Sequence, residues 1–179
     1  LEFYAAYHDA ESLMRLVEDL YATVIKSTLG ALQVAWETTT LNFQPPWPRL
    51  DYRTAIRDSA GVDILTAGED ELRSVLRKLR AEDAAGLGRG RLIDLLFKKA
   101  VRPSLIQPTF LINHPVVISP LAKRRTDQPE LAERFQVLAA GSEIGNGFSE
   151  LNDPVDQRER FRQQAALRAA GDQEAQMTD

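Results

Sequence analysis

The chain has 179 residues, 44% of them hydrophobic and 27% charged, with a formal charge of −4; this is one ordinary domain or part of a larger one, able to bury about 70% of its unfolded surface. With no apolar run approaching a membrane span the class is soluble and globular, and a net negative charge argues against this piece being the main grip on nucleic acid. Zero cysteines exclude a disulfide scaffold, a thiolate metal site and a thiol nucleophile and fit a cytosolic protein, while two histidines, His8 and His114, are too few for a histidine-rich zinc site.

In chain order, Leu1 to Ala5 reads as the end of a strand on which alternation puts Glu2 and Tyr4 on one face. A half-buried strand aromatic is the commoner fate of such a tyrosine. The chain opens here in strand-like sequence without an initiator Met and closes on the polar stretch Asp172 to Asp179, so it is expected to be a fragment. Asp9 caps a predicted helix to about Leu29, with Leu13, Leu16, Val17, Leu20, Val24 and Ile25 as its core stripe and Gly30 as its stop. Ala31 to Trp36 and Thr39 to Phe43 predict a hairpin, closed by Gln44-Pro45-Pro46-Trp47-Pro48, in which Trp47 is expected to act as a surface packing staple.

From Tyr52 the pattern turns helical. Tyr52 to Asp58, Glu69 to Arg80 and Arg91 to Val101 have amphipathic spacing, separated by Ser59-Ala60-Gly61 and by Gly86-Leu87-Gly88-Arg89-Gly90. The second break lacks both a preceding strand and the Gly-Lys-Ser/Thr ending of a phosphate loop, so it reads as a hinge between helices. Phe110 to Ile112 and Val116 to Ile118 are extended and divided by His114-Pro115; a lone histidine beside a proline reads as structural. Lys123-Arg124-Arg125 reads as a solvated turn. Leu131 to Ala140 leads through the short turn at Gly141-Ser142 into the stretch that organises the chain, Glu143-Ile144-Gly145-Asn146-Gly147-Phe148-Ser149-Glu150-Leu151-Asn152-Asp153.

If that stretch is extended, Asn146, Phe148 and Glu150 share a face. An amide, a ring and a carboxylate together suit a ligand with an alkyl stem and a cationic end: the ring packs the stem, the carboxylate pairs the charge and the amide gives directional hydrogen bonds. Gly145 and Gly147, on the other face, would let another backbone or a flat ligand approach closely. On pattern alone the alternative is a Gly-containing edge strand followed by a capped helix, with Glu150 solvated. Asp153-Pro154 reads as N-cap and first turn of a final helix to Ala170, stopped by Gly171.

Glu143 to Pro154, followed by Asp156-Gln157-Arg158-Glu159-Arg160-Phe161, closely resembles the catalytic-domain segment of class II lysyl-tRNA synthetases that precedes their third signature motif. Leu1-Glu2-Phe3-Tyr4 with Ala6-Tyr7 resembles the tail of their second motif, and the Pro-Pro-Trp stretch and the helices that follow it resemble the family's layout between the two motifs. The resemblance spans essentially the whole chain. It implies an α+β fold, an antiparallel sheet flanked by helices, forming a partial catalytic domain over residues 1–179 with a small helical insertion at 52–102. It further implies a lysine–tRNA ligase, a cytoplasmic homodimer that forms lysyl-adenylate from lysine and ATP with magnesium and passes the lysyl group to tRNA(Lys), with no covalent protein intermediate and hence no catalytic nucleophile.

Carried over by the resemblance, Glu2, Tyr4, Asn146, Phe148 and Glu150 belong to the lysine pocket, and Glu143 is a carboxylate that binds magnesium with ATP. The family's other metal carboxylate lies seven residues earlier, where this chain has Gln136, an amide that brings no charge. Strand parity would aim Glu143 away from Asn146, which a bulge at Gly145 would repair. The anticodon-binding domain, the first motif, the arginine-bearing half of the second and the third motif do not occur in these residues, so alone they are expected not to aminoacylate. The alternatives are a paralogue that ligates lysine to an elongation factor, which Ser149-Glu150-Leu151-Asn152-Asp153 resembles less, and a non-catalytic amino-acid-binding or interaction module.

Overall fold

The computed structural model describes residues 1–81, 84–169 and 171. Ala170, the predicted end of the last helix, and the polar stretch from Asp172 lie outside the described residues. Leu1 to Ala5 is not a strand but an irregular segment, exposed from Leu1 to Tyr4, and among the described residues no strand pairs with it. Helix α1 (Ala10–Leu29) starts at a reciprocal cap, in which Asp9 accepts from the Ser12 N–H at 2.8 Å and Ser12 Oγ accepts from the Asp9 N–H at 2.9 Å, and it ends at Gly30 with φ 79°. Its core stripe is offset from the predicted one. Met14 and Glu18 are buried and Leu13, Val17, Tyr21 and Ile25 pack partly, whereas Leu16 and Val24 are exposed.

The short hairpin β1 (Gln33–Trp36) and β2 (Thr39–Asn42) stands apart from the main sheet. That sheet runs β3 (Arg49–Asp51), β4 (Thr109–Pro115), β5 (Leu131–Ala139), β6 (Ser142–Phe148) in spatial order. Its last three strands are antiparallel, as expected, while the edge strand β3 pairs parallel to β4. Alternation along β4 and β5 divides two cores between the faces. One face carries Phe110, Phe135, Val137 and Ala139 beneath α1, together with Leu41, Phe43 and Trp47.

Trp47 is thus not a surface staple. It is 2% exposed, its ring stacks on Phe110 at 5.4 Å between centroids, and its backbone N–H donates to buried Glu18 at 2.7 Å, a carboxylate that Arg49 neutralises at 2.7 Å. The proline-rich stretch carries the indole from the hairpin into the core, where its area stabilises more than it would at the surface.

The other face carries Leu111 and Leu138 against helices α2 (Tyr52–Ala60), α3 (Glu69–Lys78) and α4 (Arg89–Ala100). Val116 to Ile118 is a turn of 3₁₀ helix rather than a second strand, because β4 stops at Pro115, which has no N–H to continue a ladder. Helix α5 (Pro154–Ala169) begins where Asp153 accepts from the Val155 N–H at 2.8 Å. Its Asp156 and buried Arg160 fasten the loop before β5: Arg160 donates to Ser119 O at 3.1 Å and Ala122 O at 2.7 Å, and Asp156 accepts from Arg124 at 2.8 Å. The basic run is therefore not merely solvated, since Arg124 pairs with Asp156 and Arg125 with Asp127.

Candidate functional site

The organising strand folds as β6 because Ala140 and Gly141, with φ of 52° and 69°, form a tight turn that returns it along β5. Gln136 pairs with Asn146 and Arg134 with Phe148, so Asn146 and Phe148 share a face with Gln136 and Arg134. The glycines of β6 serve the core rather than a ligand. A Cβ at Gly147 would lie 2.5 Å from Phe135 Cζ and one at Gly145 would lie 3.2 Å from Val137 Cγ2. Beyond Phe148 the strand ladder ends, and Glu150 makes a single bridge with Ala122.

Two register shifts aim side chains at this face. On β6, Val137 pairs with Gly145 but Leu138 pairs with Glu143, so Ile144 is the extra residue of a bulge and Glu143 falls on the side of Asn146. Tyr21 of α1 donates its hydroxyl to the bulged Ile144 carbonyl. Between β4 and β5 the shift lies between Ile112 and His114, where Glu133 and Arg134 of β5 stand opposite the single residue Asn113, whose φ is 58° and whose amide bonds Asp51 at 2.9 Å and Arg125 at 3.0 Å. Without that bulge His114 would share the face of Phe110 and Ile112; with it, His114 joins Gln136.

A cleft of about 420 Å³ lies between this face and the helices, lined among others by Asn146, Phe148, Arg134, His114, Tyr52 and Asp94. Arg134 was not singled out from sequence, although a charged Glu133-Arg134 pair inside a strand that is apolar elsewhere except at Gln136 was its signal. Its guanidinium donates to Asn146 Oδ1 at 3.0 Å and to Ile118 O at 2.8 Å, which holds the Asn146 amide group in one orientation. Burial pulls the Arg134 pKa down, and the Glu143 charge opposes that.

His114 is 1% exposed; its Nε2 lies 3.0 Å from Gln136 Oε1 and its Nδ1 3.3 Å from Arg134 O. Desolvation, with Arg134 adding to it, lowers its pKa to about 3, so the ring is neutral. Tyr52 is tilted on the imidazole at 5.0 Å between centroids, and its buried hydroxyl has no hydrogen-bond partner among the described residues. Gln136 Nε2 in turn donates to Glu143 Oε2 at 2.6 Å.

A second group forms past the end of β6. Tyr4 donates its hydroxyl to Glu2 Oε1 at 3.3 Å, and the charges of Glu2 first and Glu150 after it hold the phenol pKa above its ordinary value. Glu2, Tyr4 and Glu150 are thus close enough to interact, although all three are exposed. Two carboxylates and a phenol in one place would attract a compact cation.

Among the described residues no three His, Cys, Asp or Glu side chains gather as a metal site. Glu143 offers one carboxylate, and Gln136 turns its NH₂ toward it and its oxygen toward His114. That donor set fits a magnesium ion that brings phosphate ligands of its own, for which one carboxylate suffices, and does not fit an ion held by the protein alone.

A family model described as class II tRNA synthetases (D, K and N) matches residues 1–179. The chain is 47% identical over 180 residues to a lysine–tRNA ligase of Roseiflexus castenholzii, covering 100% of this chain and 37% of that protein. It is 46% identical over 181 residues to a lysine–tRNA ligase of Moorella thermoacetica, again 100% of this chain and 37% of the relative. With that of Thermotoga maritima the identity is 46% over 182 residues, 100% of this chain and 35% of the relative. The chain therefore spans a little over a third of the length of the curated relatives it matches. Among the described residues no helix is long and apolar enough to cross a membrane.

Proposed function

This chain belongs to the class II tRNA synthetases (D, K and N), and from that premise we propose that it is part of the catalytic domain of a lysine–tRNA ligase. The whole protein activates lysine with ATP and transfers the lysyl group to tRNA(Lys), working in the cytoplasm as a homodimer. Residues 1–179 supply one part of that domain, with 52–102 as a helical insertion within it. The observation that carries this reading is that Asn146 and Phe148 of one strand face one cleft, and the Tyr4–Glu2 hydrogen bond, with the Glu150 charge acting on the same phenol, supports it.

Lysine matches that arrangement from end to end. Phe148 covers the alkyl stem, and Glu150 with the Tyr4 hydroxyl receives the ε-ammonium, a compact charge with three donors. Asn146, steadied by Arg134, offers its amide N–H to the polar end of the amino acid, because its oxygen is already engaged. Glu143 serves the ATP end, where magnesium bound with the nucleotide would neutralise triphosphate charge. The chain's own contribution is positioning: the lysine carboxylate attacks the α-phosphorus and pyrophosphate departs, with no protein atom bonded to either.

Stripping water from the ammonium costs several kcal/mol unless a counter-charge replaces the hydration. Glu150→Gln keeps the shape and removes the charge. In the full-length protein it should lose about 3–5 kcal/mol of transition-state stabilisation for lysine, read from kcat/KM. A change within about 0.5 kcal/mol, the scale of an ordinary surface substitution, would remove Glu150 from the site.

A further inference from the structure

The two bulges of the sheet converge on one residue. The bulge at Asn113 turns His114 toward one side of Gln136, and the bulge at Ile144 turns Glu143 toward the other. Gln136 bridges them through its two different atoms, Oε1 facing His114 Nε2 at 3.0 Å and Nε2 donating to Glu143 Oε2 at 2.6 Å. A carboxylate can only accept, so an amide in contact with Glu143 must offer NH₂ to it, and its oxygen is then committed to the imidazole. His114 must answer with Nε2–H. Its nearly complete burial and the Tyr52 ring tilted against it at 5.0 Å hold the imidazole in that position.

We propose that His114 is a positioning residue for the ATP end of the site: through Nε2–H it locks the Gln136 amide so that Gln136 orients Glu143 as a hydrogen-bond donor and is not itself a cation ligand. This rests on the reading that Glu143 serves ATP. A fixed donor on one carboxylate oxygen leaves the other directed outward for a cation, in the way that outer partners orient metal ligands generally. The opposite arrangement is chemically distinct. If Gln136 Oε1 held the cation, its NH₂ would face the ring, Nε2 would accept, and the imidazole proton would sit on Nδ1 against the Arg134 carbonyl.

The tautomer therefore decides between the two. Full-length protein carrying ¹⁵N-labelled histidine, with the His114 resonances assigned by their loss in His114→Gln, should show protonation at Nε2 both free and with magnesium and a non-hydrolysable ATP analogue. Protonation at Nδ1 in the complex would overturn the proposal; if His114→Gln does not fold, the assignment is made instead from triple-resonance spectra of the wild-type protein. Manganese binding in the presence of the analogue, followed by the spin-resonance signal of free Mn²⁺, gives the second reading. His114→Phe should weaken it roughly tenfold without changing lysine affinity, and His114→Gln, whose amide NH₂ can approach the same oxygen, should restore it. Unchanged or tighter manganese binding by His114→Phe would contradict the assignment, because it would mean that freeing the Gln136 oxygen does no harm. Glu143→Gln separates the two levels of failure. If it leaves manganese binding intact, the ATP-end reading falls and this inference with it; if it weakens binding while His114→Phe does not, only the inference falls.

Discussion

At the scale of single residues, Gln136 and Gly147 show how the same strand pair serves two sides of the sheet. Gln136 touches Glu143 and brings no charge, so, if Glu143 serves the nucleotide as proposed, Gln136→Glu in the full-length protein should lower the magnesium concentration that half-saturates adenylate formation, since a second negative ligand strengthens attraction for a dication in a partly dehydrated site. Equal magnesium dependence of the two proteins would count against it. Gly147 is required by packing: a methyl group there would sit 2.5 Å from the Phe135 ring, which is itself wedged against Phe110 at 5.5 Å. Gly147→Ala should cost about 1–3 kcal/mol of unfolding free energy in urea, as overpacking does; a neutral result would mean that the Phe135 ring swings aside freely.

At the scale of elements, what could be read from sequence was whatever neighbouring residues decide. The Asp9–Ser12 cap and Gly30 stop of α1, the positive-φ turn into β6 and the Asp153-Pro154 start of α5 are all closed by contacts within about a turn of chain. The misreadings are tertiary. Trp47 is buried because the proline stretch lays it on Phe110, more than sixty positions away in the chain, and Leu16 and Val24 fit the helical period yet stay exposed. Side chains from other elements bond at both irregularities, Tyr21 at Ile144 and Asp51 with Arg125 at Asn113, so strand parity alone misaimed Glu143, and His114, a lone histidine beside a proline, gave no sign of the cleft it lines.

Helix α5 carries a prediction of its own. The guanidiniums of Arg160 and Arg124 hold the Asp156 carboxyl well below the usual carboxylate range. A depressed folded-state pKa contributes stability that is fully present above the unfolded value of about 4 and is lost as pH falls through the folded value. Asp156→Asn, which strands a buried Arg160, should therefore cost about 3 kcal/mol at pH 7 in urea unfolding, and the gap to wild type should narrow as the pH drops below about 4. A gap that stays constant or widens on acidification would show that the ion pair is not its source.

At the scale of the whole molecule, the proposed function asks one strand to join two ends of a site, with Glu2, Tyr4 and Glu150 past its end and Glu143 at its start. Composition could exclude a thiol enzyme and a histidine-rich zinc site, but it could not distinguish an amino-acid pocket from an edge strand with a solvated glutamate. The wording of Glu143 to Asp153 identified the family, and the fold then brought Arg134, Tyr52 and His114 to the same cleft. The family model covers enzymes for D, K and N alike, so the specific claim is that the Glu2, Tyr4 and Glu150 group selects a cationic side chain. A negative pocket end attracts an ammonium and repels a carboxylate, while a neutral amide would leave its charges unpaired. The direct measurement is amino-acid-dependent ATP–pyrophosphate exchange by the full-length protein. Exchange with lysine, and none above background with aspartate or asparagine, is the predicted result; exchange driven by aspartate or asparagine and not by lysine would contradict it.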